Sequence, residues 1–435
     1  MYRATVTEQK NKPPASRVWT APFKISVAVA TGIAGLSLLT IGKSGWVRTG
    51  NDAAMAAPPS VRMVIPDGAR PGSGAARADY GRLDARLTRL MQSKEMVGLG
   101  IAVVEHGELR FVKGYGVTTA GSDDKVTANT VFRWASLSKG MASTMVGELA
   151  AEGKLSLDDP VSRYSPSLKL PGGSERQVTI EDLLSHRLGI VKNAYDDKLE
   201  EGIDPRVIRI ALGKLDRYCA PGTCFAYQNV AYDAASEVVR SVTKQSYQDA
   251  VKQRLLVPLG MTSASVTREG LMAARSWARP HVGRRTVPVE EPYYRVPAAG
   301  GMNSSILDLG TWMRAQMGEM RNVLPMRVLE TIHRPRVSTA SATKRGAAFR
   351  RELTDGYYAL GWRDYQYAGH AIVGHRGAVR GYRSMIAFDP KTKDGVAVLW
   401  NSESNKPVGL QLEVFDMLYR RPFKDWMELE GKKAE

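Results

Sequence analysis

The sequence predicts an α+β fold, with an antiparallel sheet assembled from both ends of the body and a mainly helical lobe between them. Two strand pairs carry this expectation. Leu99-Gly-Ile-Ala-Val-Val104 and Leu109-Arg-Phe-Val112 flank Glu105-His-Gly-Glu108, the pattern of a β-hairpin. Far along the chain, Tyr382–Phe388 and Val396–Trp400 flank a turn containing Asp389-Pro390 and Asp394-Gly395. The third observation is size: 435 residues with 43% hydrophobic content can bury a sizeable core, in one large two-lobed domain or two small ones.

Taken from the N-terminus, the chain first reads as a targeting segment. Arg3, Lys10, Lys12, Arg17 and Lys24 stand against Glu8 alone, and Ile25 to Ile41 carries no charge. That is a signal-peptide core or a short membrane anchor over residues 1–42, with a cytoplasmic N-terminus and export of the rest of the chain. Ala54-Met55-Ala56 resembles a cleavage site. Residues 43–78, rich in Gly, Ala, Pro and Ser, read as a flexible linker. The body is expected over 79–420, and 421–435 as a C-terminal tail. Within the body, Arg82 to Met91 has helical spacing of apolar residues, and Pro407 to Leu418 reads as a closing amphipathic helix.

The formal charge of +17 is spread along the chain rather than blocked. No zinc-ligand spacing, helix-turn-helix signature or basic-aromatic pattern accompanies it, so nucleic acid is not an expected partner. The charge reads as solubility plus attraction to anionic envelope surfaces. The two cysteines, Cys219 and Cys224, bracket Ala-Pro-Gly-Thr. In an oxidising compartment they close a small disulfide loop. Two buried thiols or half of a metal site are the alternatives, and the lack of a second cysteine pair argues against structural zinc.

Three short motifs carry chemistry. Ser136-Leu-Ser-Lys139 lies where a strand-like run gives way to a helix-like one. A Ser and a Lys three residues apart share a helix face, where a desolvated amine can activate a hydroxyl. By itself the pair reads first as a helix N-cap followed by a surface Lys. Tyr227-Gln-Asn229 follows the cysteine loop, so a phenol and an amide can point into one cleft. Gly374-His-Arg-Gly-Ala378 precedes the C-terminal hairpin, and glycines there let a strand edge approach a ligand closely. A backbone N–H on that edge can pair with the Ser136 N–H as an oxyanion hole. His106, His186, His281, His333, His370 and His375 come without a Gly-x-Ser-x-Gly elbow, which disfavours an α/β-hydrolase triad. His186 reads as structural. Glu181-Asp182 and Asp158-Asp159 read as helix-capping carboxylates rather than a glycosidase pair.

In order and spacing, the three motifs resemble the serine β-lactamase and penicillin-binding protein superfamily, in its class C β-lactamase-like branch. Phe132–Lys139, Gly153–Pro160, Thr179–His186, Pro221-Gly-Thr223, Pro258–Met261 and Pro297–Met302 are similar to segments of that family. The resemblance implies a β-lactamase/transpeptidase-like fold, with an antiparallel sheet flanked by helices plus a mainly helical lobe and a cleft between. It implies Ser136 as the acylated nucleophile and Lys139 as proton acceptor or electropositive support. Tyr227 would be the proton shuttle, and Asn229 would orient Lys139 and the substrate amide. Ser136 and Ala378 would supply the oxyanion-hole N–H groups, with His375, Arg376 and Gly377 on the substrate side. No metal or organic cofactor is implied. The expected substrate is a β-lactam or a D-amino-acid peptide of the cell wall, with a carboxylesterase or a non-turnover penicillin-binding sensor as alternatives. The chain departs from the pattern in its third motif, where His375-Arg-Gly377 replaces Lys-Thr-Gly.

Overall fold

Strands from both ends of the body meet at the centre of one sheet in the computed structural model, which describes residues 68–70, 72, 74–339 and 352–431. In chain order the strands are β1 (Gly68–Ala69), β2 (Gly98–Glu105), β3 (Glu108–Gly116), β4 (Val131–Arg133), β5 (His281–Val282), β6 (Arg285–Thr286), β7 (Asn303–Ser305), β8 (Val337–Ser338), β9 (Thr354–Tyr358), β10 (Arg363–Tyr367), β11 (His370–Val379), β12 (Tyr382–Asp389) and β13 (Asp394–Trp400). The main sheet runs β1-β3-β2-β13-β12-β11-β10-β9-β8, with antiparallel pairs throughout. The two hairpins expected from the sequence are β2–β3 and β12–β13, and they join where β2 pairs β13 with Leu99 opposite Trp400. The first hairpin turns tightly through His106 and Gly107, at φ 52° and 79°. Both residues take positive φ, as a two-residue turn matched to strand twist demands.

Strand alternation explains why the sheet is covered on both faces. Leu99, Ile101 and Val103 of β2 join Val396, Val398 and Trp400 of β13 in one core. That core is closed by the helices Tyr80–Met91 and Leu410–Leu418. Ala102, Val104, Ala397 and Leu399 face the other way, into the larger core shared with the helical lobe. Asp79 caps the first helix by accepting from the Arg82 N–H at 2.9 Å.

Two expected boundaries shift outward. The linker's C-terminal end is part of the body: Gly68–Ala69 pairs with β3, Ala78 is buried, and Arg77 pairs with Glu105 and Asp394. The C-terminal stretch expected as a tail also packs. Trp426 and Met427 are buried, and Trp426 Nε1 donates to Asp416 at 2.7 Å. Apolar side chains in both stretches complete the core around Tyr80–Met91, which a composition reading of linkers and tails does not register. Residues 1–42, with the expected signal or anchor, lie outside the described residues. No helix among the described residues is long and apolar enough to cross a membrane.

Candidate active site

The Ser136 segment is built by β4, which pairs with β7 and delivers the chain into a tight turn. Trp134 is fully buried, and its Nε1 donates to Ser304 Oγ at 2.8 Å. Ala135 then takes φ 49°, a left-handed conformation that costs a residue with a Cβ and is held only where packing over-determines it. A 3-10 turn, Ala135–Leu137, leads into the helix Ser138–Ala151. Ser138 fastens this junction: its Oγ donates to the Ala135 carbonyl at 2.6 Å and accepts from the Met302 N–H at 3.0 Å. From Val131 to Leu149, Ser136 alone is not buried. The segment thus presents one hydroxyl from an otherwise sealed surface.

Lys139 lies one turn on and is fully buried, and Nζ donates to Asn229 Oδ1 at 2.8 Å and to the Ala299 carbonyl at 3.1 Å. The Tyr227 ring centroid is 4.7 Å from the same nitrogen. Burial strengthens these contacts and makes the amine's partners decisive for its behaviour. Asn229 is itself oriented, because its Nδ2 donates to Asp196 Oδ2 at 2.7 Å. Burial raises the Asp196 carboxyl above its ordinary range, against the lowering effect of the Asn229 hydrogen bond and the Lys139 charge.

The Tyr227–Asn229 loop is clasped from behind. Cys219 and Cys224 form a disulfide with Cα atoms 6.4 Å apart. Within that loop the Gly222 N–H donates to the Arg187 carbonyl at 2.8 Å, and just beyond it Ala226 N–H donates to the His186 carbonyl at 3.0 Å. Asn193 N–H holds the Tyr227 carbonyl at 2.7 Å. Behind Tyr227 stands a buried aromatic cluster, with the His186 ring 4.4 Å and the His375 ring 6.2 Å from the Tyr227 ring.

The third motif lies on β11. This strand pairs with β12 from Val373 to Val379 but with β10 only from His370 to Gly374, so residues 375–379 form an open edge on that side. A Cβ at Gly377 would collide with the Trp134 carbonyl and Ser384 Oγ. The strand therefore presses directly on the turn that carries Ser136. Ala378 is exposed and Arg376 is half-buried. His375 is 4% exposed, with Nδ1 2.8 Å from the Arg376 carbonyl and Nε2 3.1 Å from Tyr358 Oη. Burial first, then the charges of Arg363 and Lys139, holds its imidazole well below the ordinary histidine range, so it is neutral.

A cleft of about 610 Å³ opens beside Ala378 and Val379. Its lining carries Glu200, Glu290, Glu291 and Glu403 with Arg380 and Arg383. Arg380 pairs with Glu290 at 2.6 Å. The structure thus gathers Ser136, Lys139, Tyr227, Asn229 and the Gly377–Ala378 edge, and it sets the His375 ring inward. Asp182 closes a capping box with Thr179, in line with its reading as a helix cap. Sequence reasoning missed Asp196, Tyr358, Ser138 and the Ala299 carbonyl. The Pro297–Met302 segment pointed toward the last, but a backbone acceptor leaves no side-chain signal.

Comparison with known proteins places this arrangement. The family model described as Beta-lactamase matches residues 83–417. Protein flp of Staphylococcus aureus is 26% identical over 330 residues, covering 74% of this chain and 63% of that protein. The chain therefore spans less than two thirds of that relative's length. The unguisins hydrolase ungD of Aspergillus violaceofuscus is 24% identical over 376 residues, covering 81% of this chain and 66% of that protein. Among solved structures, the octameric penicillin-binding protein homologue from Pyrococcus abyssi superposes with a TM-score of 0.71 at 26% identity, covering 82% of this chain and 79% of that one. A family model spanning this much of the chain, on a fold and motif order of the same kind, makes the protein a member of the beta-lactamase family.

Proposed function

We propose that this protein is an exported serine hydrolase that transfers an acyl group from an amide to Ser136 and then to water. One observation carries the reading: a fully buried Lys139 amine is held by Asn229 and the Ala299 carbonyl one helical turn from half-buried Ser136. In the acylation step Ser136 Oγ attacks the carbonyl carbon and gives up its proton. Lys139 and Tyr227 carry that proton to the leaving nitrogen as the C–N bond breaks. Water then attacks the Ser136 ester, and the proton returns to Oγ as the acid leaves. The N–H groups of Ser136 and Ala378 hold the oxyanion in both steps.

The cleft chemistry bears on the substrate. A neutral His375 supplies no cation for a substrate carboxylate. This favours an amide with no carboxylate beside the scissile bond, such as a D-amino-acid amide, over a carboxylated β-lactam. The disulfide and the basic-then-apolar N-terminus support an extracytoplasmic location. The name of the relative called an unguisins hydrolase supports hydrolysis over binding alone. A substrate panel tests the reading. Steady release of the leaving amine from a D-alanyl anilide supports it. A stoichiometric burst with a chromogenic cephalosporin and no turnover favours a sensor. Turnover restricted to p-nitrophenyl butyrate favours an esterase.

A further inference from the structure

Behind Tyr227 runs a chain of hydrogen bonds whose direction is fixed at both ends. At one end the backbone N–H of Gln228 donates to His186 Nδ1 at 3.1 Å. A backbone N–H can only donate, so Nδ1 is bare and the neutral ring carries its proton on Nε2. His186 Nε2 lies 3.1 Å from Tyr358 Oη, which lies 3.1 Å from His375 Nε2. At the other end His375 Nδ1 is 2.8 Å from the Arg376 carbonyl, which can only accept. One arrangement satisfies every atom. His186 Nε2–H donates to Tyr358, the Tyr358 hydroxyl donates to His375 Nε2, and His375 Nδ1–H donates to Arg376.

The three side chains are buried: His186 and Tyr358 fully, His375 to within 4%. Both imidazoles are held well below the ordinary histidine range, in each case chiefly by burial and also by the charges of Lys139 and Arg363. The chain is not a proton shuttle. Passing a proton along it would set an imidazole N–H against the Gln228 N–H and a bare nitrogen against the Arg376 carbonyl. Buried groups mispaired in this way are costly. What it does is connect. Gln228 sits between Tyr227 and Asn229, and Arg376 immediately precedes Gly377 and Ala378.

We propose that His186, Tyr358 and His375 are positioning residues that clamp the Tyr227–Asn229 loop of the helical lobe to the Gly377–Ala378 edge of the sheet, so that both face Ser136 in register for acylation. The inference rests on Ser136 being the nucleophile.

Tyr358→Phe in the full chain tests it. The ring keeps its packing against Phe225 at 5.1 Å and His186 at 4.8 Å, and only the hydroxyl is lost. The readout is the second-order rate constant for labelling by a fluorophosphonate probe, followed against pH well below the melting temperature. The clamp predicts a loss of about tenfold to a hundredfold, the scale expected for a small misplacement of reacting groups. It also predicts that the acid limb moves to higher pH, because His375 Nε2 loses the donor that favours its neutral form. The other groups facing that ring are Lys139, Arg363, Tyr227, His186 and Arg376, and the substitution leaves them in place. As a rescue pair, His375→Gln keeps an acceptor for Tyr358 and retains more labelling than His375→Leu. This pair decides the question should Tyr358→Phe fail to fold. Wild-type rate and pH profile in Tyr358→Phe, or equal rates in the His375 pair, overturn the clamp. Labelling that persists in Ser136→Ala instead overturns the nucleophile assignment, so the two failures are told apart.

Discussion

Asn229 Oδ1 lies 2.8 Å from Lys139 Nζ while the same amide's nitrogen lies 2.7 Å from Asp196 Oδ2. The amide therefore joins a buried amine to a carboxylate and fixes which of its ends faces which. Asn229→Ala removes this link and leaves Lys139 held by the Ala299 carbonyl. Acylation is expected to fall by about a hundredfold, in line with the loss of a positioned catalytic partner. The rate of fluorophosphonate labelling measures it, and an unchanged rate would remove Asn229 from the site.

Reducing the disulfide acts through the loop rather than the core. The bridge spans a sequence separation of 5 and clasps the Arg187 carbonyl through Gly222. Cys219→Ser with Cys224→Ser is expected to cost about 2 kcal/mol on a loop-closure basis. Thermal melting of the double variant against the oxidised wild type gives the number. Equal melting temperatures would show that the backbone contacts hold the loop unaided.

Much of this architecture is legible in the sequence, because its signals are local or periodic. The β2–β3 and β12–β13 hairpins declare themselves by alternation and turn residues. Ser136, Lys139, Tyr227 and Asn229 declare themselves by motif. Tyr358 and Asp196 do not, since their roles come from strand register and from a loop that no short pattern encodes. His375 is visible as a departure from the family pattern. The direction of its ring is not visible, because one strand residue can face cleft or core and only the pairing of β11 decides. The packing of the C-terminal stretch is hidden for a related reason: Trp426 and Met427 join the core that holds Leu83 and Leu87, more than three hundred residues earlier in the chain.

Close approach at Gly377 makes a second test of the site's geometry. Gly377→Ala places a methyl group against the Trp134 carbonyl and Ser384 Oγ, both held within hydrogen-bonded structure. The strand must move off the Ser136 turn. Overpacking of this kind costs about 1–3 kcal/mol, and misplacing the proposed oxyanion donors is expected to lower acylation by about a hundredfold. Melting temperature and labelling rate are measured together. A wild-type labelling rate would mean that β11 does not set the position of the oxyanion hole.

Part of the acid sensitivity follows from His333, alongside the lowered imidazoles of His186, His281 and His375. Burial lowers the His333 pKa from 6.5 to about 3, and its Nε2 lies 2.9 Å from Gln316 Oε1. Between those two values the unfolded chain binds the proton and the folded one does not, so stability falls as pH drops through this window. The residue is half-buried by surface area, and with screening the loss is about 1 kcal/mol by about pH 5. His333→Gln is expected to flatten this part of the stability profile. Denaturant midpoints of both proteins at about pH 7 and about pH 5 test it, and parallel losses would contradict it.

Every role proposed for the site depends on Ser136 taking the acyl group. Intact-protein mass spectrometry after a brief incubation with an activated acyl ester or a penicillin measures it. The expected result is a mass increase of one acyl group on the wild-type chain, mapping to the peptide that contains Ser136, and none on Ser136→Ala. An adduct of the same mass on Ser136→Ala would contradict the assignment.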